Sequence, residues 1–572
     1  MINLANKIIV VGGVAGGASI AARVRRLDEN ADIKMFEKGP NISFSNCSLP
    51  YYLGNVIEDV NDLYVISSEK FHNQNNVNVF TNCEVIDVDH KNHEALVKDL
   101  LQKKIKKYKY DYLFLSPGAY PIIPKDIVGI NKSKVFTIRN VEDVKQITSY
   151  CNKKQVHNIA VIGGGYIGLE TAENLKLAGY KVSLIEEKNQ VLSNNIDYDF
   201  AQIVQKELLD NDVNVILNDR LQKITDEEII LSSGKQIQND LVIMAVGIKP
   251  NTQLARKIGI NLNKNGAIKV DANYETNLKD IYAVGDAIEV VNGITQEPMQ
   301  LSLAWPAQIE ARRAVDHIYH KDIYDHNFIG ASVIHLFQQN IATVGLTECQ
   351  LKNRQIDYET ITVVVPYRLK IMPHSNPVDL KILFSVPEGK ILGAQAIGVD
   401  AVDRYIDVIS MLIKQNCNIY DAANAELCYS PWVSCAKNGI NMAGLAGSNL
   451  LNHEYQKVSP LCLRKILQQE EALIIDCREE DEFKTKGHVI NAVNIPLSEF
   501  RKRLKEIPKN KNIYIYCASG HRSYFMTRAL MNLGYTQVFN LGSFIEICQL
   551  EYFQDQITHR KPIVTKYCFD LH

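Results

Sequence analysis

No long apolar run interrupts the 572-residue sequence. The longest candidate, IIVVGGVAGGASIAA, is broken by glycines and is shorter than the roughly 20 residues that span a bilayer, so no membrane partner is expected. No charged n-region precedes it and a strand starts almost at once, so no signal peptide and a cytoplasmic location are expected. Charge of one sign is also lacking. Lys and Arg number 63 against 65 Asp and Glu, a formal charge of -2, which argues against a basic nucleic-acid binder and an acidic tail protein. The 12 cysteines contain no C-x-x-C pair; no metal site and no disulfide framework is expected, and most should be reduced and buried.

What is present is an ordinary globular composition, 46% hydrophobic and 22% charged. It is long enough for roughly three or four domains of about 100–200 residues. Two strand–turn–helix units nearly repeat each other: KIIVVGGVAGGASIAARVRRL (Lys7–Leu27) and NIAVIGGGYIGLETAENLKLAG (Asn158–Gly179). Each leads to a second strand ending in acid, Glu37 in IKMFEKG and Glu186 in KVSLIEEKN. A third unit, NIYIYCASGHRSYFMTRALMNLG, lies near the C-terminus.

The second Gly-rich turn is a complete G-x-G-x-x-G set, from Gly163 through Gly165, Tyr166 and Gly168. Gly163 permits the tight turn, Gly165 admits a pyrophosphate and Gly168 lets the helix pack on the strand, with the helix N-terminus facing the phosphates. A carboxylate at Glu186 accepts ribose hydroxyls and repels a 2′-phosphate, which favours NADH over NADPH. The first turn runs Gly12, Gly13, Val14, Ala15, Gly16, Gly17, so it lacks the middle glycine of the fingerprint. Glu37 and the cysteine that follows, Cys47, restore it as a nucleotide site, with Lys38 beside Glu37 counted among the FAD residues. In TNLKDIYAVGDA, Gly285 and Asp286 follow a strand, a placement where the carboxylate can bind a flavin's ribityl chain or cap a helix. Two nucleotide sites imply a hydride relay, NADH at the second and FAD at the first.

SPGA (Ser116–Ala119), AVGIKPN (Ala245–Asn251) and YAVGD (Tyr282–Asp286) resemble the pyridine-nucleotide disulfide oxidoreductase family over roughly residues 5 to 445. VAGGAS, SFSNCSLPYYLG, LAWPAQ and YSPWVSCAKNGINM are similar to its coenzyme A disulfide reductase branch, with its fused persulfide reductases. The resemblance implies a homodimer with a C-terminal interface domain, and FAD beside one cysteine, Cys47. Disulfide reductases usually carry a partner cysteine five residues on; here that residue is Tyr52.

Cys47 has three readings: a buried small hydrophobe, a Cys–sulfenic acid centre, or a thiol forming a mixed disulfide with a small thiol substrate. Peroxidases and water-forming oxidases of the family place a histidine in the first turn, where this sequence has Ala15. That counts against the sulfenic centre and favours the mixed-disulfide route, in which the second sulfur arrives with the substrate and the thiol pKa is expected to be lowered. Resemblance implies coenzyme A as that thiol, held by Ser19, Arg23, Arg26, Ser43 and Asn46; a solvated basic face is the alternative for the arginines. Tyr429, in CYSPWVS, matches a tyrosine that reaches the opposite subunit's site and can protonate a leaving thiolate. The family's tyrosine pair before the stretch Pro377–Lys381 is replaced by Ile371 and Met372, which favours a smaller or persulfidic substrate over the symmetrical disulfide.

IIDCREEDEFKTKGHVINAVNIPL followed by YCASGHRS resembles a rhodanese domain, about Leu461 to Leu550. Its loop, from Cys517 to Arg522, leaves a strand and enters a helix, so backbone N–H groups and the helix dipole form an anion cradle that lowers the thiol pKa. A phosphatase needs C-x5-R for a tetrahedral phosphate; C-x4-R suits one sulfur atom. Arg522 is expected to bind an oxyanion or steady a persulfide, and Cys477 to be core.

The expected fold class is α/β: two Rossmann-like dinucleotide-binding domains, an α+β dimerisation domain and a C-terminal α/β rhodanese domain. The expected boundaries are 1–118 with 245–325 for FAD, 119–244 for NAD(H), 326–445 for dimerisation, 446–460 as linker and 461–572 for rhodanese. The expected function is NADH-driven reduction of coenzyme A persulfide, polysulfide or coenzyme A disulfide on Cys47, with Cys517 handling sulfane sulfur. The alternatives are an NADH oxidase or peroxidase and a persulfide-sensing binding protein.

Overall fold

The computed structural model describes residues 6–322 and 327–571. The chain divides into two compact units, Met1–Ile185 with Arg220–Phe328, and Glu186–Asp219 with Ile329–His572.

In the first unit β1 (Lys7–Val11) is buried over its β-branched centre, as a strand covered on both faces must be. After it come α1 (Ala15–Leu27), β2 (Asp32–Phe36), the short α2 (Leu49–Leu53), β3 (Asn78–Phe80) and β4 (Tyr112–Leu115). A second series follows: β5 (Val135–Thr137), β6 (Asn158–Ile162), α3 (Tyr166–Leu177), β7 (Lys181–Ile185) and β8 (Leu241–Met244). The unit closes with β9 (Ile281–Ala283) and α4 (Ala304–Ile318). The first sheet is all parallel in the order β9-β4-β1-β2-β3. In the second, β7, β6, β8 and β5 pair in that order, also in parallel. Both nucleotide turns therefore leave the carboxyl end of a central parallel strand, where such sheets bind ligands.

Helix α1 buries Gly16, Gly17, Ile20, Ala21 and Val24 along one stripe. Arg25 is buried too. Its guanidinium donates to the carbonyls of Asn75, Asp28, Ala31 and Asn76 at 2.8–3.1 Å, so it ties together the loops leading into β2 and β3 and belongs to no solvated face.

The second unit begins its antiparallel sheet with β10 (Ser332–Leu336), β11 (Gln339–Gly345), β12 (Tyr358–Pro366), β13 (Pro377–Ser385) and β14 (Ile391–Gly398), in the order β10-β11-β14-β13-β12. Helix α5 (Val402–Lys414) covers it with Val402, Tyr405, Ile406, Ile409 and Ile413. Next come α6 (Gly439–Leu451), β15 (Gln456–Lys457), β16 (Ala472–Asp476), β17 (Val493–Asn494), β18 (Asn512–Cys517), α7 (His521–Asn532), β19 (Val538–Ser543) and α8 (Phe544–Thr558). Their strands form a parallel sheet, β15-β19-β18-β16-β17. The mixed α/β class is thus as expected.

The expected linker, 446–460, carries ordered elements. It holds the end of α6, whose Gly444, Gly447 and Ser448 are buried, and β15, which pairs with β19. The small residues that read as linker composition serve close packing: a Cβ on Gly444 would lie 2.2 Å from the Ala423 nitrogen. Among the described residues no helix is long and apolar enough to cross a membrane.

Candidate functional site

The first Gly-rich turn is held by backbone contacts that leave no room for side chains. Gly12 has φ +100°, and a Cβ there would lie 2.1 Å from the Ser116 carbonyl oxygen. A Cβ on Gly17 would lie 1.8 Å from the Gly12 oxygen, so Gly17 supplies the close helix–strand contact. Gly16 faces the Ser116 hydroxyl in the same way, at 2.5 Å. Val14 stands at the helix N-cap with no side-chain cap, which leaves the amides opening α1, from Ala15 on, for an anion. At the end of β2 the Glu37 carboxylate accepts the amides of Gly13 at 2.8 Å and Gly39 at 2.7 Å. Burial pushes its pKa up, and those amides oppose the shift. Lys38 turns away to Glu84 at 2.8 Å.

The second turn repeats the device. Gly163 has φ +110° and meets the Ala245 oxygen, Gly168 meets the Gly163 oxygen, and Gly165 has nothing within 4 Å of a would-be Cβ. Gly165 thus has the open space that a pyrophosphate needs. Tyr166 opens α3. Glu186, directly after β7, accepts the Lys188 amide at 2.9 Å.

The stretch carrying Cys47 is anchored to the first turn. Ser43 has φ +45° and donates its amide to the Gly13 carbonyl at 3.0 Å. The short helix α2 continues onto α3, where a Cβ on Gly54 would strike the Asn174 side chain at 2.5 Å. This brings Cys47 under the influence of both nucleotide turns. The thiol is exposed, yet desolvation by the surrounding protein pushes its pKa up. Glu170 and Asp286 add to that rise and Arg139 opposes it. The expected lowering is therefore corrected: desolvation leads the rise, the carboxylates add to it, and the opposing Arg139 is itself paired with Asp286 at 3.2 Å. Asp286 lies inside a short turn after Gly285 (φ +77°) and caps no helix. Burial raises Glu170 to about 7, with Glu173 adding to the shift. Glu310, also pushed by burial to about 7, accepts the Gly285 amide at 2.7 Å. Tyr51, raised by burial to about 12, remains a phenol.

Of the other expected contacts, Ser19 bonds the Ala15 carbonyl of its own helix at 2.7 Å. Arg23 is drawn into an ion pair with Asp316 on α4, Nε to Oδ1 2.7 Å. Arg26 faces solvent one turn on. Asn46 has a buried Oδ1 with no protein partner. In the second unit Tyr429 is 50% exposed within a surface strip that also shows Trp432 and Val433.

The Cys517 loop is the most polarised thiol site. Cys517 ends β18, is 1% exposed, and its sulfur accepts the Gly520 amide at 3.1 Å. Gly520 has φ +87° and caps α7. Desolvation acts to raise the thiol pKa. Hydrogen bonds from the Cys477 thiol and the Ser523 and Ser519 amides, with the Arg522 charge, overcome it and bring the value to about 5. Arg522 is not free: both its terminal nitrogens bond Glu482, at 2.6 and 2.8 Å. Arg478 and Asp476 form a buried ion pair at 2.7 Å that clamps the end of β16. Cys477 is core, as expected, and burial together with the neighbouring Cys517 sulfur pushes its thiol pKa up.

Glu170, Arg139, Glu310, Glu482 and the Cys477 contact escaped sequence reading. Glu170 was signalled only by its place two residues after Gly168. The others come from chain-distant segments without a motif. One carboxylate cluster with metal-ligand spacing, Asp197, Asp199 and Glu348, holds the Lys381 ammonium at 3.1, 3.0 and 2.6 Å.

A family model described as pyridine nucleotide-disulphide oxidoreductase matches residues 6–307, its dimerisation domain 331–438, and a rhodanese-like domain 459–548. The chain is 32% identical over 440 residues to a Staphylococcus epidermidis coenzyme A disulfide reductase, covering 77% of this chain and 99% of that one. The structure of reduced Bacillus anthracis CoADR-RHD matches with TM-score 0.92 and 39% identity, covering 96% of this chain and 98% of that one. An NAD-dependent persulfide reductase from A. fulgidus matches with TM-score 0.89 and 29% identity, covering 95% and 99%.

Proposed function

This chain belongs to the pyridine nucleotide-disulphide oxidoreductase family, and on that premise we propose that it is a flavin-dependent, NADH-consuming reductase of coenzyme A persulfide, polysulfide or disulfide. The observation that carries the reading is Cys47, an exposed thiol beside the first nucleotide turn with Tyr52, not a second sulfur, as the fifth residue after it.

The residues fit FAD: Gly12, Gly16 and Gly17 form a cradle that side chains would fill, Glu37 is pinned as a ribose acceptor, and Asp286 stands by for the ribityl chain. Gly163, Gly165 and Gly168 with Glu186 suit NADH. When bound, the two cofactors supply a hydride and then the electron pair that cleaves a sulfur–sulfur bond. Cys47 supplies the protein's sulfur. Its thiolate attacks R–S–S–R, expels RS⁻ and leaves Cys47–S–S–R; with a persulfide R–S–SH the departing group is hydrosulfide. Glu170, half protonated near pH 7, controls how much charge opposes that thiolate. The exposed Tyr429 serves the site of a second copy in a homodimer, protonating the leaving thiolate. Arg26 holds a coenzyme A phosphate, with Ser19, Ser43 and Asn46 nearby; Arg23, committed to Asp316, positions α1. The exposed Ile371 in place of an aromatic favours persulfides over the symmetrical disulfide. Cys517, with its low pKa, takes up sulfane sulfur.

The test is anaerobic mixing with coenzyme A disulfide in the absence of NADH, followed by peptide mapping. A coenzyme A adduct on Cys47 is expected. An adduct confined to other cysteines, with Cys47 free, refutes the reading.

A further inference from the structure

Cys477 follows β16 and Cys517 ends β18, neighbouring parallel strands whose register pairs Asp476 with Tyr516. The next residues along, 477 and 517, therefore sit side by side on one face of the sheet. The Cys477 amide donates to the Tyr516 carbonyl at 3.0 Å, which carries the ladder to that position. Strands about 4.8 Å apart lie within the Cα separation of about 4.4–6.8 Å that a disulfide requires. Both thiols are buried in the same apolar cluster, and the neighbouring Cys517 sulfur joins burial in pushing the Cys477 thiol up. The Cys477 backbone is clamped on both sides: the Leu497 amide bonds its carbonyl at 3.1 Å, and Asn494 bonds the carbonyls of Asp476 and Arg478 at 3.0 and 2.9 Å.

We propose that Cys477 is the second reacting thiol of this loop: it attacks the Cys517 sulfur of a Cys517 persulfide, expels hydrosulfide and forms a Cys477–Cys517 disulfide. The proposal rests on the reading of Cys517 as a carrier of sulfane sulfur. The step balances as Cys517–S–S⁻ plus Cys477–SH giving Cys517–S–S–Cys477 plus HS⁻. The sulfane sulfur takes two electrons, each protein sulfur gives one, and the Cys477 proton leaves on the hydrosulfide. Burial pushes the Cys477 thiol up, so its proton passes to the anionic outer sulfur of the persulfide as the Cys477 sulfur attacks, and the departing group is hydrosulfide. Two equivalents of a small thiol restore the pair by exchange and leave as their disulfide. That disulfide is the substrate class assigned above to Cys47, which gives the fusion of the two halves a chemical reason.

The test uses the full chain in a Cys47→Ser background, so that the flavin half does not contribute. Thiosulfate loads Cys517 and sulfite departs; NADH and small thiols are absent. About one equivalent of sulfide per chain is expected, with a Cys477–Cys517 disulfide in non-reducing peptide mapping. Adding Cys477→Ala, or the volume-conserving Cys477→Val, should leave a persulfide on Cys517, visible as the mass of one added sulfur, and release no sulfide. Sulfide release at an unchanged rate in both variants overturns the proposal. So does a wild-type Cys477 chain that keeps its persulfide. If Cys517 gains no sulfur in any chain, the carrier reading fails and the inference falls with it.

Discussion

Replacing Cys477 by alanine should raise the pKa of Cys517 and slow its reactions in mild acid. The native thiol stands at about 5 against an ordinary value of 9.0. Four units correspond to about 5 kcal/mol in favour of the thiolate. That preference exists despite burial, so the hydrogen bonds and the Arg522 charge supply it. One hydrogen bond to a charged acceptor contributes about 1.5–3 kcal/mol, or about one to two units. Cys477→Ala should therefore move the midpoint to about 6–7. At pH 6 the thiolate fraction then falls about two- to ten-fold, while at pH 9 it stays near unity. The assay is the rate of alkylation at Cys517 by iodoacetamide from pH 4 to 9, followed by peptide mapping. Cys477→Ser keeps a donor and should recover most of the native profile. A Cys477→Ala midpoint that stays at about 5, or falls, would refute the reasoning.

Three further outcomes follow from the same geometry. Glu170→Gln removes a carboxylate that opposes the Cys47 thiolate, so the pH midpoint for Cys47 alkylation should move to lower pH; an unchanged midpoint contradicts the electrostatic assignment. Arg26→Glu should raise KM for coenzyme A substrates about ten-fold or more with kcat little changed, because a phosphate contact binds ground and transition states alike; a fall in kcat alone would place Arg26 elsewhere. Asp379 and Glu546, on β13 and α8, are raised by burial to about 7 and about 8. A raised folded-state pKa gives stability that is complete below the unfolded value and is lost as pH rises through the folded one. Thermal stability should therefore fall from about pH 4 to about pH 8 and level off above that, and Glu546→Gln should flatten the fall.

Much of the fold and of both thiol sites was legible because glycine and cysteine spacing is local. Gly163 is readable as a turn residue and Gly168 as a packing one, since only glycine tolerates the carbonyls that crowd them. Cys47 and Cys517 stood out by their flanking segments. The partners did not, because a pairing such as Arg139 with Asp286, or Glu482 with Arg522, joins segments that only tertiary packing brings together. Cys477 was read as core because strand register, which sets it beside Cys517, is not written in either segment alone. The direction of the Cys47 shift is not legible for the same reason: the burial around it, and then Glu170 and Asp286, come from distant segments. Across 446–460 composition does not reveal the ordered elements, because glycine and serine mark close helix packing as readily as they mark a tether.

The most direct test of the central claim is NADH-driven sulfide release from coenzyme A persulfide under anaerobic conditions, compared for wild type, Cys47→Ser and Cys517→Ser. Flavin content is measured alongside, to show that each chain is loaded. The account predicts that Cys47→Ser binds flavin and releases no sulfide at the expense of NADH. Full NADH-dependent turnover in Cys47→Ser would contradict it.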